Sequence, residues 1–534
     1  MTKITQYRPS GYIFFLIIII IFFHAINNYY VITESSFDTQ FDAVMYFRET
    51  CHLVKNIKSA NHFRELVNVI VNRCLSGLSP LRSSLFIVLS SPFLFVKMNM
   101  LWAVMANLIY LSILIFATYG IGKKLYNFEI GIIAAFLVSL LPGVFAISRC
   151  YLLDLAFVSF VTLSLYMMIE LLNSEGKRRF FYFFLTTFSI TSGLLIKESY
   201  FYFLPLLSLF LLIKREYICK KNIISVFAVI LLALLLVSRW YFRFGLHMII
   251  NMWRMQAYFS NNDNLFYVKK LYEFQLMPIF FWFLLISIIH YLIKKDLFPI
   301  IFVVFPLVAF SMILQNKDGR FILPIFSFIA LVIARTLWDF TKGNKFMISF
   351  FLVLSLLQFF LINYSGNQPK VFAKLLAYYN IDKVKPEGIY GISRLPTYKK
   401  TAQVITELIN FLDNKCLPFN KDLSILVLAE SGRALYFTME ELLASGIKTY
   451  NIMSSVPDTD IEADAIIGFV IEPKVTDYKY LVCENPPNFT WENAEAYYND
   501  FLENIKRYSL IRTIQHSSEI KFDLYVRDYC IVQD

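Results

Sequence analysis

Charge is scarce in this chain: 17% of its 534 residues are Asp, Glu, Lys or Arg, against 57% hydrophobic and 18% aromatic. Ordinary soluble domains carry about a quarter charged residues, so that class is excluded. Glycine is scarce too, and no Gly-rich stretch matches a phosphate-cradling loop, which removes nucleotide binding through the usual fingerprints. The seven cysteines form no CxxC, so neither a zinc ribbon nor a disulfide framework is written into the sequence. Cys51 and Cys74 share one loop, and both a pairing and two thiols remain open. No internal repeat of the kind found in secondary transporters is visible. The net charge of +11 follows the apolar segments rather than forming a nucleic-acid patch.

What the chain does have is apolar runs. They recur from Gly11 to Asn363 at roughly 17 to 25 residues, the length that crosses about 30 Å of hydrocarbon as helix. About eleven spans are expected, near 12–32, 101–120, 129–147, 155–172, 180–196, 200–213, 222–238, 277–293, 298–314, 321–337 and 347–363. Residues 1–363 therefore read as a polytopic α-helical membrane domain. The first run follows Lys3 and Arg8 without a small-residue cleavage site, which marks a retained anchor. Residues 364–534 read as a separate, net acidic tail with the alternating pattern of a small α/β domain. There helices are expected over Lys399 to Leu412, Ala434 to Leu443 and Ala494 to Arg507. Strands are expected at Leu423 to Ala429, Ala465 to Ile471 and Tyr480 to Val482, with a closing hairpin over Ser509 to Gln515 and Lys521 to Asp528.

Topology turns on Pro80 to Val96, apolar enough to pass for a span. Read as an interfacial helix instead, it leaves Lys123/Lys124, Lys177/Arg178/Arg179, Lys214/Arg215/Lys220/Lys221, Lys294/Lys295 and Lys342/Lys345 on the side of the N-terminus. That is the positive-inside pattern in all five loops. The first outer loop, 34–100, then shares the outer face with the turn at Arg149 to Asp154, the hairpin at Lys197/Glu198, the aromatic and Arg-rich loop Arg239 to Leu276, the turn Lys317 to Arg320, and the tail. The composition points to a bacterial inner membrane, with a cytoplasmic N-terminus and a periplasmic or extracellular tail.

Every candidate chemical group falls on that outer side. Asp38, Asp42 and Tyr46 are spaced one helical turn apart, on one face. Asp154 opens a span just after Arg149, and helix capping alone is the simpler reading of all three aspartates. Lys197 and Glu198 sit between two apolar segments, where charge is costly and is either paired or functional. Arg320 opens a span from the outer side, against that face's sign preference, as an anionic headgroup or phosphate would require.

Taken in order, Asp42-x-x-x-Tyr46, Pro80-Leu81, Ser148-Arg149-x-x-x-x-Asp154, Gly193-Leu-Leu-Ile-Lys197 and Arg320-Phe-Ile-Leu-Pro324 resemble the GT-C class of integral-membrane glycosyltransferases. The branch is that of protein O-mannosyltransferases and lipid A aminoarabinose transferases, and the resemblance covers roughly residues 10 to 340. It implies transfer of a sugar, with inversion, from a polyprenyl-phosphate donor to a lipid, glycan or protein acceptor at the outer face. Nucleotide sugars are not available there, which agrees with the missing nucleotide loop. It further implies Asp42 as general base and Asp154 as a support that orients the acceptor or Asp42. Asp38, Tyr46, Arg149 and Glu198 would line the substrate site, with Lys197 and Arg320 on the departing phosphate. Ala43 stands where the family often has a second acidic residue, so no metal ligands are assigned and a divalent ion is left open. Two other readings compete. A lipid-linked saccharide flippase would need ionisable groups at mid-membrane, and a polysaccharide ligase or polymerase would use Arg239, Arg243, His247 and Arg254.

Overall fold

The computed structural model describes residues 10–34, 41–60, 62–75, 77–79, 82–83, 85–213, 219–258, 263–314, 317–363 and strand segments 423–428, 450–454, 480–485, 508–515 and 521–527. The chain forms two units. One holds Met1–Val31, Leu53–Val96 and Leu101–Ile392; the other holds Ile32–His52, Lys97–Met100 and Ser393–Asp534.

In the first part of the chain, α1 (Ser10–Glu34), α2 (Phe41–Ser59) and α3 (Phe63–Leu75) precede a short antiparallel pair, β1 (Gly77–Ser79) and β2 (Arg82–Ser83). Next comes α4 (Leu85–Val96), apolar but only 12 residues long. At 1.5 Å per residue it measures about 18 Å, short of the ~30 Å hydrocarbon layer. After α5 (Met100–Met105), the bundle is built from α6 (Asn107–Leu125), α7 (Phe128–Leu140), α8 (Pro142–Ile147), α9 (Leu153–Leu172) and α10 (Gly176–Ile196). Local chemistry sets their ends. Asn127 caps α7 by accepting from the Ile130 amide at 2.8 Å, and Pro142 opens α8 at the position where a missing N–H costs nothing.

Further along lie α11 (Leu204–Ile213), α12 (Lys220–Tyr258), α13 (Phe266–Lys270), α14 (Met277–Ile293), α15 (Phe305–Ile313), α16 (Phe326–Thr341) and α17 (Lys345–Asn363). Short 3-10 turns at Glu198–Phe203 and Gly319–Ile325 break the apolar runs near the charged motifs. Among the described residues, five helices are long and apolar enough to cross a membrane: Met100–Leu125, Leu153–Leu172, Gly176–Ile196, Lys220–Gly245 and Gly319–Thr341. Six shorter apolar helices accompany them. The second and fifth of the long helices are 83% buried and form the centre, whereas Lys220–Gly245 is 28% buried and turns Phe227, Leu231 and Leu235 outward. One expectation changes. The first half of the loop Arg239 to Leu276 is helical, because α12 runs on to Tyr258 with one glycine, Gly245, and no proline in its path.

The centre packs closely where side chains are small. A Cβ on Gly122 of α6 would lie 2.7 Å from the Gly131 Cα of α7, so the two backbones touch there. Hydroxyls stitch the same helices together: Ser159 of α9 donates to the Tyr110 carbonyl of α6 at 2.6 Å, and Thr162 donates to Ser327 of α16 at 3.0 Å.

The other unit contains a five-stranded mixed sheet from β3 (Leu423–Leu428), β4 (Tyr450–Ser454), β5 (Tyr480–Asn485), β6 (Tyr508–Gln515) and β7 (Lys521–Arg527), in the order β4-β3-β5-β7-β6. β3 is parallel to both β4 and β5, and β7 is antiparallel to β5 and β6. The closing hairpin falls where the alternation places it, while β4 carries no signal read from the sequence. The helices expected at 399–412, 434–443 and 494–507 and the strand at 465–471 lie outside the described residues.

Candidate active site

α9 and α10 are antiparallel neighbours joined by a short turn, so the start of α9 and the end of α10 meet at one end of the bundle. Asp154 stands in the first turn of α9 and Lys197 caps the end of α10, each at the helix pole that favours its charge. Their side chains form a buried ion pair, Nζ to Oδ1 at 2.6 Å, with 5% and 2% of the side chains exposed. The rings of Phe157 and Phe321 lie 5.7 and 5.1 Å from the ammonium.

The turn at Asp318 brings a second cation. Asp318 accepts from the Arg320 backbone amide at 2.8 Å and from its guanidinium, Nε and Nη2, both at 2.7 Å. The same guanidinium reaches toward Asp154, with Nη1 3.9 Å from Oδ2. Burial pushes the Asp318 carboxyl up. The Arg320 charge and hydrogen bonds, with the Lys197 charge behind them, outweigh it and hold the group below the ordinary carboxylate value. Gln275, fully buried at the end of a π-helical turn, donates to the Gly319 carbonyl at 2.6 Å and braces this turn from behind. Lys317 is tied to the Asp263 carbonyl at 2.8 Å. The result is two cations and two carboxylates in one half-enclosed cluster.

Of the residues singled out from the sequence, Asp154, Lys197 and Arg320 come together. Lys197 turns to Asp154, not to its neighbour Glu198, and Glu198 makes no ion pair among the described residues. Leu152, not Asp154, is the residue that caps α9, and no side chain serves as cap there. Arg149 lies elsewhere. Its Nε donates to Asn28 of α1 at 3.0 Å, Asn28 donates to Ser148 at 3.0 Å, and the guanidinium sits 5.1 Å from the Phe145 ring. This ties the first helix to the turn after α8. Asp42 and Tyr46 lie one turn apart on α2; Tyr46 is fully buried, while the side chain of Asp42 and the whole of Asp38 are outside the described residues. Gln275 and Asn28 were not legible as site supports, since a lone amide in an apolar run has no spacing signal. Among the described residues no group of three or more His, Cys, Asp or Glu is placed to hold a metal ion.

Residues 85–242 match the family model described as Dolichyl-phosphate-mannose-protein mannosyltransferase, a stretch that includes Arg149, Asp154, Lys197 and Glu198. Among solved structures, the chain is similar to ArnT from Cupriavidus metallidurans bound to undecaprenyl phosphate, with a TM-score of 0.56 at 10% identity over 99% of this chain and 100% of that one. The apo state of the same protein gives 0.54 at 10% identity over 98% and 99%. The oligosaccharyltransferase of Archaeoglobus fulgidus, in complex with Zn and sulfate, gives 0.48 at 12% identity over 96% and 74%. Among curated proteins, none matches in sequence. Over nearly its whole length, then, the chain has the fold of ArnT.

Proposed function

We propose that this chain is a glycosyltransferase that moves a sugar from a polyprenyl-phosphate-linked donor to an acceptor at the outer face of the membrane, inverting the anomeric carbon. The observation that carries the reading is the buried Asp154–Lys197 pair with Arg320 beside it, inside a fold shared with an enzyme solved with undecaprenyl phosphate. In this reaction the acceptor oxygen or nitrogen forms its bond to the anomeric carbon as the carbon–oxygen bond to the lipid phosphate breaks. The acceptor proton passes to Asp42, the base in this reading, and the electron pair leaves on the phosphate. Lys197 and Arg320 supply cations where that charge develops, and Asp154 fixes both in place. Asp38, Tyr46 and Glu198 would line the substrate in this reading, whereas Arg149, bound to Asn28, would act by holding α1 to the turn before α9. The membrane is the bacterial inner membrane, with the N-terminus cytoplasmic.

The test is mass spectrometry of lipid-linked saccharides incubated with membranes containing the protein. Transfer is expected from the wild type and is lost in Asp42→Asn, which keeps shape and removes basicity. Unchanged lipid relocated across the bilayer would instead identify a flippase, and near-normal transfer by Asp42→Asn would remove the base assignment.

A further inference from the structure

The opposite end of the same helices holds a cavity. Its volume is about 470 Å³, within the roughly 300–1,000 Å³ of ligand pockets. Glu170 on its wall lies near the end of α9, sixteen residues from Asp154, which puts about 24 Å of helix between the two sites. Three cations line it, Lys123 and Lys124 from the end of α6 and Arg178 from the start of α10, against one carboxylate, Glu170. Lys124 spends its charge on both Glu170 oxygens, at 2.9 and 3.0 Å. That leaves the cavity cationic through Lys123 and Arg178, both exposed.

The walls are built rather than incidental. Tyr166 packs its ring onto the backbone of α6 at Gly120, where any Cβ would collide with it, and meets Phe116 edge-on at 5.7 Å. Lys123 sits 5.8 Å from the Tyr119 ring. Tyr119 is itself 6% exposed, and its hydroxyl has no hydrogen-bond partner among the described residues. A buried hydroxyl without a partner is unfavourable, so a polar occupant is called for. One flank is apolar: Phe116, 44% exposed midway along a helix long enough to span, and Ile17 of α1. A phosphate with an acyl tail suits such a mouth; a soluble anion would leave the apolar flank uncovered.

We propose that this cavity binds the phosphate of an anionic phospholipid headgroup, with Lys123 and Arg178 on the phosphate, the Tyr119 hydroxyl donating to one of its oxygens, and the acyl chains lying along Phe116 and Ile17. It is a site distinct from the Asp154–Lys197 cluster and does not depend on the transfer reaction.

The experiment is native mass spectrometry of the detergent-purified full chain, titrated with phosphatidylglycerol or with phosphatidylcholine of the same acyl length. Wild type is expected to retain phosphatidylglycerol selectively. Lys123→Gln/Arg178→Gln is expected to weaken that retention about tenfold or more, as loss of charge-assisted bonds implies. Lys220→Gln/Lys221→Gln removes the same charge from exposed positions on α12 outside the cavity and is expected to leave it unchanged. Tyr119→Phe deletes only the hydroxyl and is expected to weaken retention by a smaller factor, about threefold to tenfold, in a protein no less stable to heat than wild type. Equal retention of the two lipids, or equal loss in the two double variants, would overturn the proposal. So would binding of added inorganic phosphate with no lipid retained.

Discussion

Removing Lys197 alone should do more harm than removing Lys197 and Asp154 together. The two charges are 2.6 Å apart with almost no solvent contact, and at an effective dielectric near 20 their gross attraction is about 6 kcal/mol. Burying each ion costs several kcal/mol, so the pair as a whole contributes little net stability. Breaking it is different, because Lys197→Met leaves the buried Asp154 carboxylate with Arg320, at 3.9 Å, as its one remaining ion-pair partner among the described residues. The expected loss is about 3–5 kcal/mol. The double variant Asp154→Leu/Lys197→Met removes both charges and should recover most of that loss while transfer stays abolished. Chemical unfolding in mild detergent gives the stabilities, and transfer of lipid-linked sugar gives the activity. If Lys197→Met alone leaves stability within about 0.5 kcal/mol of wild type, the ion pair is not what holds these helix ends, and the reasoning fails.

Two further outcomes follow from the same cluster. A Cβ at Gly193 would run into the Tyr200 ring, whose hydroxyl donates to Ser164 at 2.6 Å, so Gly193→Ala should cost about 1–3 kcal/mol and shift the Lys197 turn; a variant with wild-type stability and transfer would contradict that packing. Asp318 has its folded-state pKa held below 3.8, so its contribution is fully present above that pH and is lost as pH falls through the folded value. Melting temperature followed downward from about pH 5 should therefore drop less in Asp318→Asn than in wild type, and parallel curves would show that Asp318 is not the titrating group.

Much of this was legible because membrane sequences announce their solvent. The helices around α9 and α10 stand within a few residues of the apolar runs, and α3 coincides with its amphipathic pattern over Phe63–Leu75. The charges at Asp154, Lys197 and Arg320 were visible for the same reason, as costly groups at the ends of apolar segments. Their partners were not visible. Lys197 pairs with a residue 43 positions away rather than with adjacent Glu198, because helix α10 ends at Lys197 and the 3-10 turn that follows carries Glu198 away from the pair. Arg149 and Asp154 share one motif yet divide between two clusters for a similar reason: Leu152 sets the start of α9, and the turn before it points Arg149 toward Asn28. The continuation of α12 to Tyr258 was hidden because Trp, Tyr and Arg are as common in interfacial loops as on a helix emerging from the bilayer.

Charge balance in the cluster bears on how the proposed reaction gains its rate. Lys197 and Arg320 are matched by Asp154 and Asp318, so this quartet is neutral before a donor arrives. A polyprenyl-phosphate sugar is a phosphodiester with one negative charge; when its sugar leaves, the phosphate gains a second. A neutral quartet binds the first form weakly, since each cation already has a carboxylate, and the second more strongly, since a growing dianion competes better for the same cations. The interaction therefore strengthens along the reaction, which is the condition for raising kcat rather than only lowering KM. On this argument the two carboxylates matter to catalysis by keeping the cations from binding the ground state too tightly. Neutralising Asp318 would then tighten donor binding, read as a lower KM for the lipid-linked sugar.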